Sequence, residues 1–282
     1  MEFMWFAEGE RGYAMSVITI SRGSYSHGKE VAEKVADRLG YRCIAREVLL
    51  EASEHFNVPE VKLLQAIRDA PSFLERLAHG RLRYIAFIRL ALLRQIQEDN
   101  VVYHGFAGHL ILRDIPHVLK VRILADLEDR VGLVMNRDGV SRGQAVKIVK
   151  RLDEERRRWS RSLYGIDTGD PGLYDLVVNL RRMTLESAAD VICHTAGLKE
   201  FQITAESHRM INDLLLAAEV QMAVAEMGVE AAVVSRDGSV EIVTKAPSSQ
   251  ERGLAREIER RARGISGVKA VRVEITPLTL FE

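Results

Sequence analysis

Residues Gly23-Ser24-Tyr25-Ser26-His27-Gly28-Lys29-Glu30 set two glycines and a lysine at the spacing G-x4-G-K. Before them, Ser16 to Ser21 (Ser-Val-Ile-Thr-Ile-Ser) is rich in β-branched residues and reads as a short buried strand. After them, Val31, Val35 and Leu39 recur at helical spacing until Gly40 stops the run. A strand turning through a glycine-containing loop into a helix N-terminus is the context this pattern needs. Glycines let backbone N–H groups converge on a phosphate, and the helix start adds partial positive charge. Lys29 would bring a full charge to the β- and γ-phosphates of a nucleotide. The position after the lysine, where a hydroxyl would hold magnesium, carries Glu30. Its carboxylate would either ligate Mg2+, directly or through water, or repel the nucleotide.

The rest of the chain extends this start into an α/β domain. Asn100 to His104, Val118 to Leu124 and Asp175 to Asn179 read as further strands. They alternate with helices at about Arg81 to Glu98, Leu127 to Asp138, Ser141 to Ser160 and Thr184 to His194, which predicts a mainly parallel sheet covered on both faces. Pro59 and Pro71 read as first-turn prolines. Ser141 and Gln144 form a capping box at the head of a strongly basic helix. The pattern fades over 197–207, read as a linker. Residues 208–282 then follow the order αββαβ: a helix, two strands flanking the Asp237-Gly238 turn signal, a helix opened by Ser248 and Glu251, and a final alternating strand. The predicted organisation is an extension over 1–15, an α/β domain over 16–196, the linker, and a small αββαβ unit. The first domain is expected to fold and bind nucleotide alone.

Composition limits the partners. Forty basic residues balance forty acidic ones over 282 residues, so an anion site must be a local cluster, and no nucleic-acid partner is expected. Cys43 and Cys193 have no metal or redox spacing and read as buried thiols of a reducing compartment. Arg89 and Arg94 interrupt the longest apolar stretch, so no transmembrane segment is expected. The first fourteen residues lack a signal-peptide pattern and read as a disordered lead-in or as sequence upstream of a start at Met15. The expected location is the cytoplasm.

Three segments in order resemble the cytidylate-kinase-like family: Ile18 to Gly23 with Gly28 to Tyr41, then Val118 to Arg137 with Asp126-Leu-Glu-Asp-Arg130, then Asp170-Pro-Gly-Leu-Tyr-Asp175-Leu-Val-Val-Asn179. In that family a basic residue followed by Glu, as in Lys29-Glu30, is usual. The resemblance implies a P-loop nucleoside-monophosphate kinase fold, with ATP and Mg2+ on Gly23 to Glu30 and a CMP-like acceptor opposite. It makes the Ser141 to Arg161 helix a lid, whose Arg151 and Arg157 would act with Lys29 on the transferred phosphate. It puts Arg46, Arg130 and Asp175 on the substrate, although an Asp opening a strand is as often a turn residue. Two positions depart from the family: Ala45 stands where an acid is usual, and Gly105-Phe106 replaces a Gly-Arg pair. The altered acceptor side suits a second reading, a catalytically weak nucleotide sensor. His104 ends a strand beside Gly105, facing the site or packed and capping. Residues 214 to 277 resemble a BON domain, with Gly267-Val-Lys-Ala-Val271 the best match. That implies lipid attachment or ligand sensing, with a stabilising or dimerising unit as the alternative. Protein, small-ligand or homo-oligomer contacts are expected there.

Overall fold

A computed structural model describes residues 16–45, 47–56, 78–247, 249 and 251–277. Arg46, Pro59, Pro71 and Ser248 lie outside the described residues. Strands β1 (Val17–Arg22), β2 (Arg42–Ile44), β3 (Val101–Tyr103), β4 (Val118–Leu124) and β5 (Leu176–Asn179) form one sheet in the order β2-β3-β1-β4-β5. Every pairing in it is parallel. The β-branched run of β1 accounts for its central place: Val17 and Ile18 are fully buried because both faces of the strand are covered.

Helices make the outer layers. On one face, α1 (Gly28–Leu39) and a later helix, α7 (Leu185–Ala196), pack Val31, Val35, Ala189 and Ile192 over Ile18, Ile20, Leu119 and Val121. On the other, α2 (Glu47–Phe56) and α3 (Ala78–Ile96) place Val48, Phe87 and Leu93 in a core with Val17, Val101 and Val118. The α3 helix is apolar on nearly every side because it is sandwiched, and its outward face meets a helix from the far end of the chain. A one-turn helix, α4 (Gly108–Ile111), follows β3. Between β4 and β5 come α5 (Leu127–Asp138) and the 23-residue α6 (Arg142–Tyr164), which pack on each other. The Ser141–Gln144 capping box is present, and α6 runs without a break.

The C-terminal unit has the order read from the sequence: α8 (Ala205–Ala225), β6 (Ala231–Arg236), β7 (Ser239–Ala246), α9 (Glu251–Arg263) and β8 (Ala270–Pro277). Arg236 pairs with Ser239 across the turn, and Asp237 and Gly238 both have positive φ (49° and 82°), as a two-residue hairpin of this hand demands. The third strand pairs parallel with β7, and Val233, Val240, Ile242 and Ile258 fill the core beneath α8 and α9. Helix α8 begins earlier than the hydrophobic pattern suggests, because Thr204 caps it and exchanges hydrogen bonds with Ser207. It serves two cores. Ile211, Leu215, Ala218 and Met222 join the cluster around Phe87, while Leu216, Ala217, Val220 and Val224 face the small sheet. Among the described residues no helix is long and apolar enough to cross a membrane.

Candidate functional site

The loop between β1 and α1 opens at the carboxyl ends of the parallel strands, where α/β sheets bind ligands. Its backbone is unusual: Tyr25 (φ 58°) and His27 (φ 55°) are left-handed without being glycine. Such residues cost about 1 kcal/mol or more, a strain typical of ligand clamps. Ser26 Oγ donates to the Gly23 carbonyl at 3.0 Å and ties the loop across its mouth. The ring of Tyr25 lies under the Arg137 guanidinium at 4.6 Å, which fixes the loop to α5. Gly28 is required for space, not for φ. A Cβ there would sit 2.3 Å from Arg22 Cδ and 2.8 Å from Arg22 Cβ. Ser24 Oγ is buried and has no hydrogen-bond partner among the described residues, an orphan that a ligand at the loop would satisfy.

Four arginines converge on this loop from four elements. Arg22 ends β1, and its guanidinium has no hydrogen-bond partner among the described residues; partial burial lowers its pKa, opposed by Glu30. Arg122 on β4 is brought beside Ser21 by the strand register and donates to its hydroxyl at 2.8 Å. It also lies 5.7 Å from the centre of the Tyr174 ring. Arg130 on α5 donates from Nε to the Ser24 carbonyl at 2.6 Å and from Nη2 to both Asp153 oxygens at 2.7 and 2.6 Å. Arg156 on α6 donates to the Arg22 carbonyl at 2.6 Å. Arg156 is exposed as a whole residue, while its guanidinium is turned back against the Arg22 carbonyl. Desolvation by the surrounding protein, then the Arg22, Arg122 and Arg130 charges, bring its pKa down to about 10, so it stays charged at neutral pH. Asp153 is a carboxylate set among these cations, and it also accepts the Ser24 backbone N–H at 3.1 Å.

The lid arginines named from the sequence point elsewhere. Arg151 is 68% exposed and 3.6 Å from Glu155, and Arg157 lies 3.2 Å from Glu154. Ala145, Val149 and Ser160 are buried along α6 and Asp153 is half-buried between them; Arg156 shares that stripe, at i+3 from Asp153, and although exposed it is the arginine whose guanidinium reaches the loop. Lys29 is 60% exposed and 3.4 Å from Glu33, one turn along α1. Glu30 sits 3.3 Å from His27 Nδ1. Asp175 accepts from the Lys120 backbone N–H at 2.8 Å and from its Nζ at 3.3 Å, a clamp between β4 and β5.

The side where the resemblance would put an acceptor is lined differently. Phe106 packs edge-on to Trp159 at 3.6 Å between ring centres, beside Ile85, Ile111 and Tyr164. The position that resemblance would give to an arginine is thus part of an apolar plug joining α6 to the end of β3. His104 is buried at the head of this turn. Its Nδ1 lacks a partner among the described residues, and burial followed by the Arg22 charge lowers its pKa. His109, 5.1 Å from the Tyr174 ring, is held neutral, its pKa pushed down to about 3 by burial and then by Arg122. The sequence signals for Arg22, Arg122 and Asp153 were weak, because each acquires its place only through strand register or helix face.

A parallel sheet in this order, a phosphate loop after its central strand and a basic helix docked over that loop define the P-loop kinase class of α/β proteins. A sequence model of the Cytidylate kinase-like family matches residues 17–182, more than half of the chain, and the chain belongs to that family. A cytidylate kinase from Ignicoccus hospitalis is 29% identical over 181 residues, covering 63% of this chain and 97% of the relative. One from Sulfolobus acidocaldarius is 26% identical over 194 residues, covering 68% and 99%. Among solved structures, an uncharacterized protein from Eubacterium ventriosum superposes with a TM-score of 0.50 at 21% identity, over 64% of this chain and 98% of the other, and shares the fold. The C-terminal unit lies beyond the family match.

Proposed function

We propose that this chain is an ATP-dependent phosphotransferase that moves the γ-phosphate of ATP to a nucleoside monophosphate, CMP-like, or to a related small acceptor. The carrying observation is the convergence of Arg22, Arg122, Arg130 and Arg156 on a strained phosphate loop, with Asp153 a carboxylate among them. Such an excess of fixed cations suits a polyphosphate and the charge that spreads over a phosphoryl group in flight. In this reading the loop N–H groups and Ser24 Oγ bind phosphate oxygens. Lys29 turns from Glu33 toward the β- and γ-phosphates. Arg156 neutralises the transferred group, with Arg151 and Arg157 flanking it on the same helix.

Magnesium fits the site only as an ion carried largely by the nucleotide. Among the described residues no three His, Cys, Asp or Glu side chains gather, so Glu30 would supply at most one ligand. Mg2+ tolerates that, since it keeps waters and phosphate oxygens in its octahedron. When bound, the ion would neutralise phosphate charge.

Phe106 favours the second reading. Where an acceptor arginine is expected, an aromatic plug stands against Trp159, which suits a nucleotide sensor with weak transfer. Helix α8, shared between the two cores, would carry its signal to the BON-like unit. A turnover assay with ATP, Mg2+ and a panel of nucleoside monophosphates separates the two. ADP release that depends on one monophosphate supports the kinase; tight ATP binding without acceptor-dependent turnover supports the sensor.

A further inference from the structure

The side chain of Asp153 holds the donors a phosphate would seek. One of its oxygens accepts a loop N–H, from Ser24 at 3.1 Å, and both accept Arg130 Nη2 at 2.7 and 2.6 Å. A backbone amide of a phosphate loop together with a guanidinium is a donor set that recognises phosphate oxygens. We propose that Ser24 N–H and Arg130 form a subsite for the terminal phosphate of a polyphosphate, and that Asp153 is its built-in competitor. The inference rests on reading the loop as a polyphosphate site.

The physical argument is exclusion of like charges. A carboxylate and a phosphate oxygen cannot share one amide and one guanidinium without strong repulsion. Phosphate carries more charge and more acceptor oxygens than a carboxylate, so it wins the donors. Asp153 then leaves, and in this proposal it leaves with its helix. It stands on a continuous helix, and Arg156, three residues on and on the same face, is bonded to the Arg22 carbonyl one residue before Gly23. A shift of α6 that withdraws Asp153 also frees the Arg156 guanidinium from that carbonyl. The same event couples phosphate arrival to release of the arginine that would meet it. Arg130 keeps its Nε bond to Ser24 O, so its fork stays aimed at the loop, with Nη1 beside Gly23.

The experiment compares the full-length chain with Asp153→Asn and Asp153→Glu. Calorimetric titrations use ATP and, separately, sodium tripolyphosphate. Circular dichroism checks that each variant is folded. Neutralising the competitor should tighten both ligands about tenfold in the Asn variant, while Glu, which keeps the charge, should retain the wild-type affinity. An Asn variant that is folded and binds tripolyphosphate no more tightly than wild type overturns the inference. Because Trp159 lies on α6, its fluorescence gives a second test in a Trp5→Phe background, with no change at Asp153. Tripolyphosphate should shift its emission, and saturation without any shift is equally fatal. Wild-type chain that binds tripolyphosphate but not ATP, with the Asn variant tighter, supports the subsite and removes the nucleotide reading. ATP binding that is unaltered in the Asn variant does the reverse. Wild type that binds neither overturns both.

Discussion

Ending the chain at Gly197 removes α8, and the structure gives the cost. Ile211, Leu215 and Met222 are 1%, 8% and 4% exposed, and they sit in the core that also holds Phe87, Val101 and Val118. Burying a large aliphatic side chain stabilises by about 1.5–3 kcal/mol, so three contribute about 5–9 kcal/mol before allowing for a compact unfolded chain. A typical domain has only about 5–15 kcal/mol in total. The truncated chain should therefore lose most of its stability, with a urea midpoint far below that of the full chain or no cooperative transition at all. Far-UV circular dichroism in urea measures it, and sedimentation shows whether the uncovered face of α3 drives association. A control within the full chain, Leu215→Ala, should cost about 2–5 kcal/mol. A fragment ending at Gly197 that unfolds cooperatively at the full-length midpoint would refute this reasoning. It would show that residues 16–196 are self-sufficient, as the sequence pattern suggests, and that α8 is a passenger on that core.

Other expectations are read with simpler assays. Gly28→Ala should destabilise by about 1–3 kcal/mol, because the new methyl meets Arg22 Cβ and Cδ, and it should weaken ATP binding in the same titration. Lys29→Ala should weaken ATP binding by about 1–3 kcal/mol if the lysine swings to the phosphates; an unchanged affinity removes it from the site. Arg156→Ala should cut turnover by about a hundredfold or more, with Arg151→Ala and Arg157→Ala close to wild type; the opposite ranking would mean that α6 rotates on ligand binding. His109 supplies a pH test. Its folded pKa of about 3 lies below the unfolded value, so the unfolded chain takes up the proton first and stability falls as pH drops below about 6.5. The loss from this group should be about 2 kcal/mol between pH 6.5 and 5, measured by urea midpoints. His109→Gln should flatten that slope, and an unchanged slope would assign the acid sensitivity elsewhere.

The local signals in this sequence were strong where one stretch of chain decides the outcome. The G-x4-G-K loop, the β-branched strand before it, the Ser141–Gln144 cap and the Asp-Gly hairpin each depend on a few adjacent residues, so they could be read without neighbours. The alternation of strands and helices was likewise enough to predict a parallel sheet with both faces covered. Tertiary structure decided which charges gather. Eight basic side chains lie between Arg142 and Arg161, and only the packing of Ala145 and Val149 on α5 turns Arg156 and Asp153 toward the loop while leaving Arg151 and Arg157 in water. Arg122 reaches the site because parallel register sets it against Ser21, a partner 101 residues away. Helix α8 is half in each core for the same kind of reason: its two apolar faces find partners in α3 and in a sheet that has yet to be made when the helix is read from its N-terminus. Propensity and spacing are properties of a segment. A side chain's direction relative to distant chain is fixed only when the faces pack.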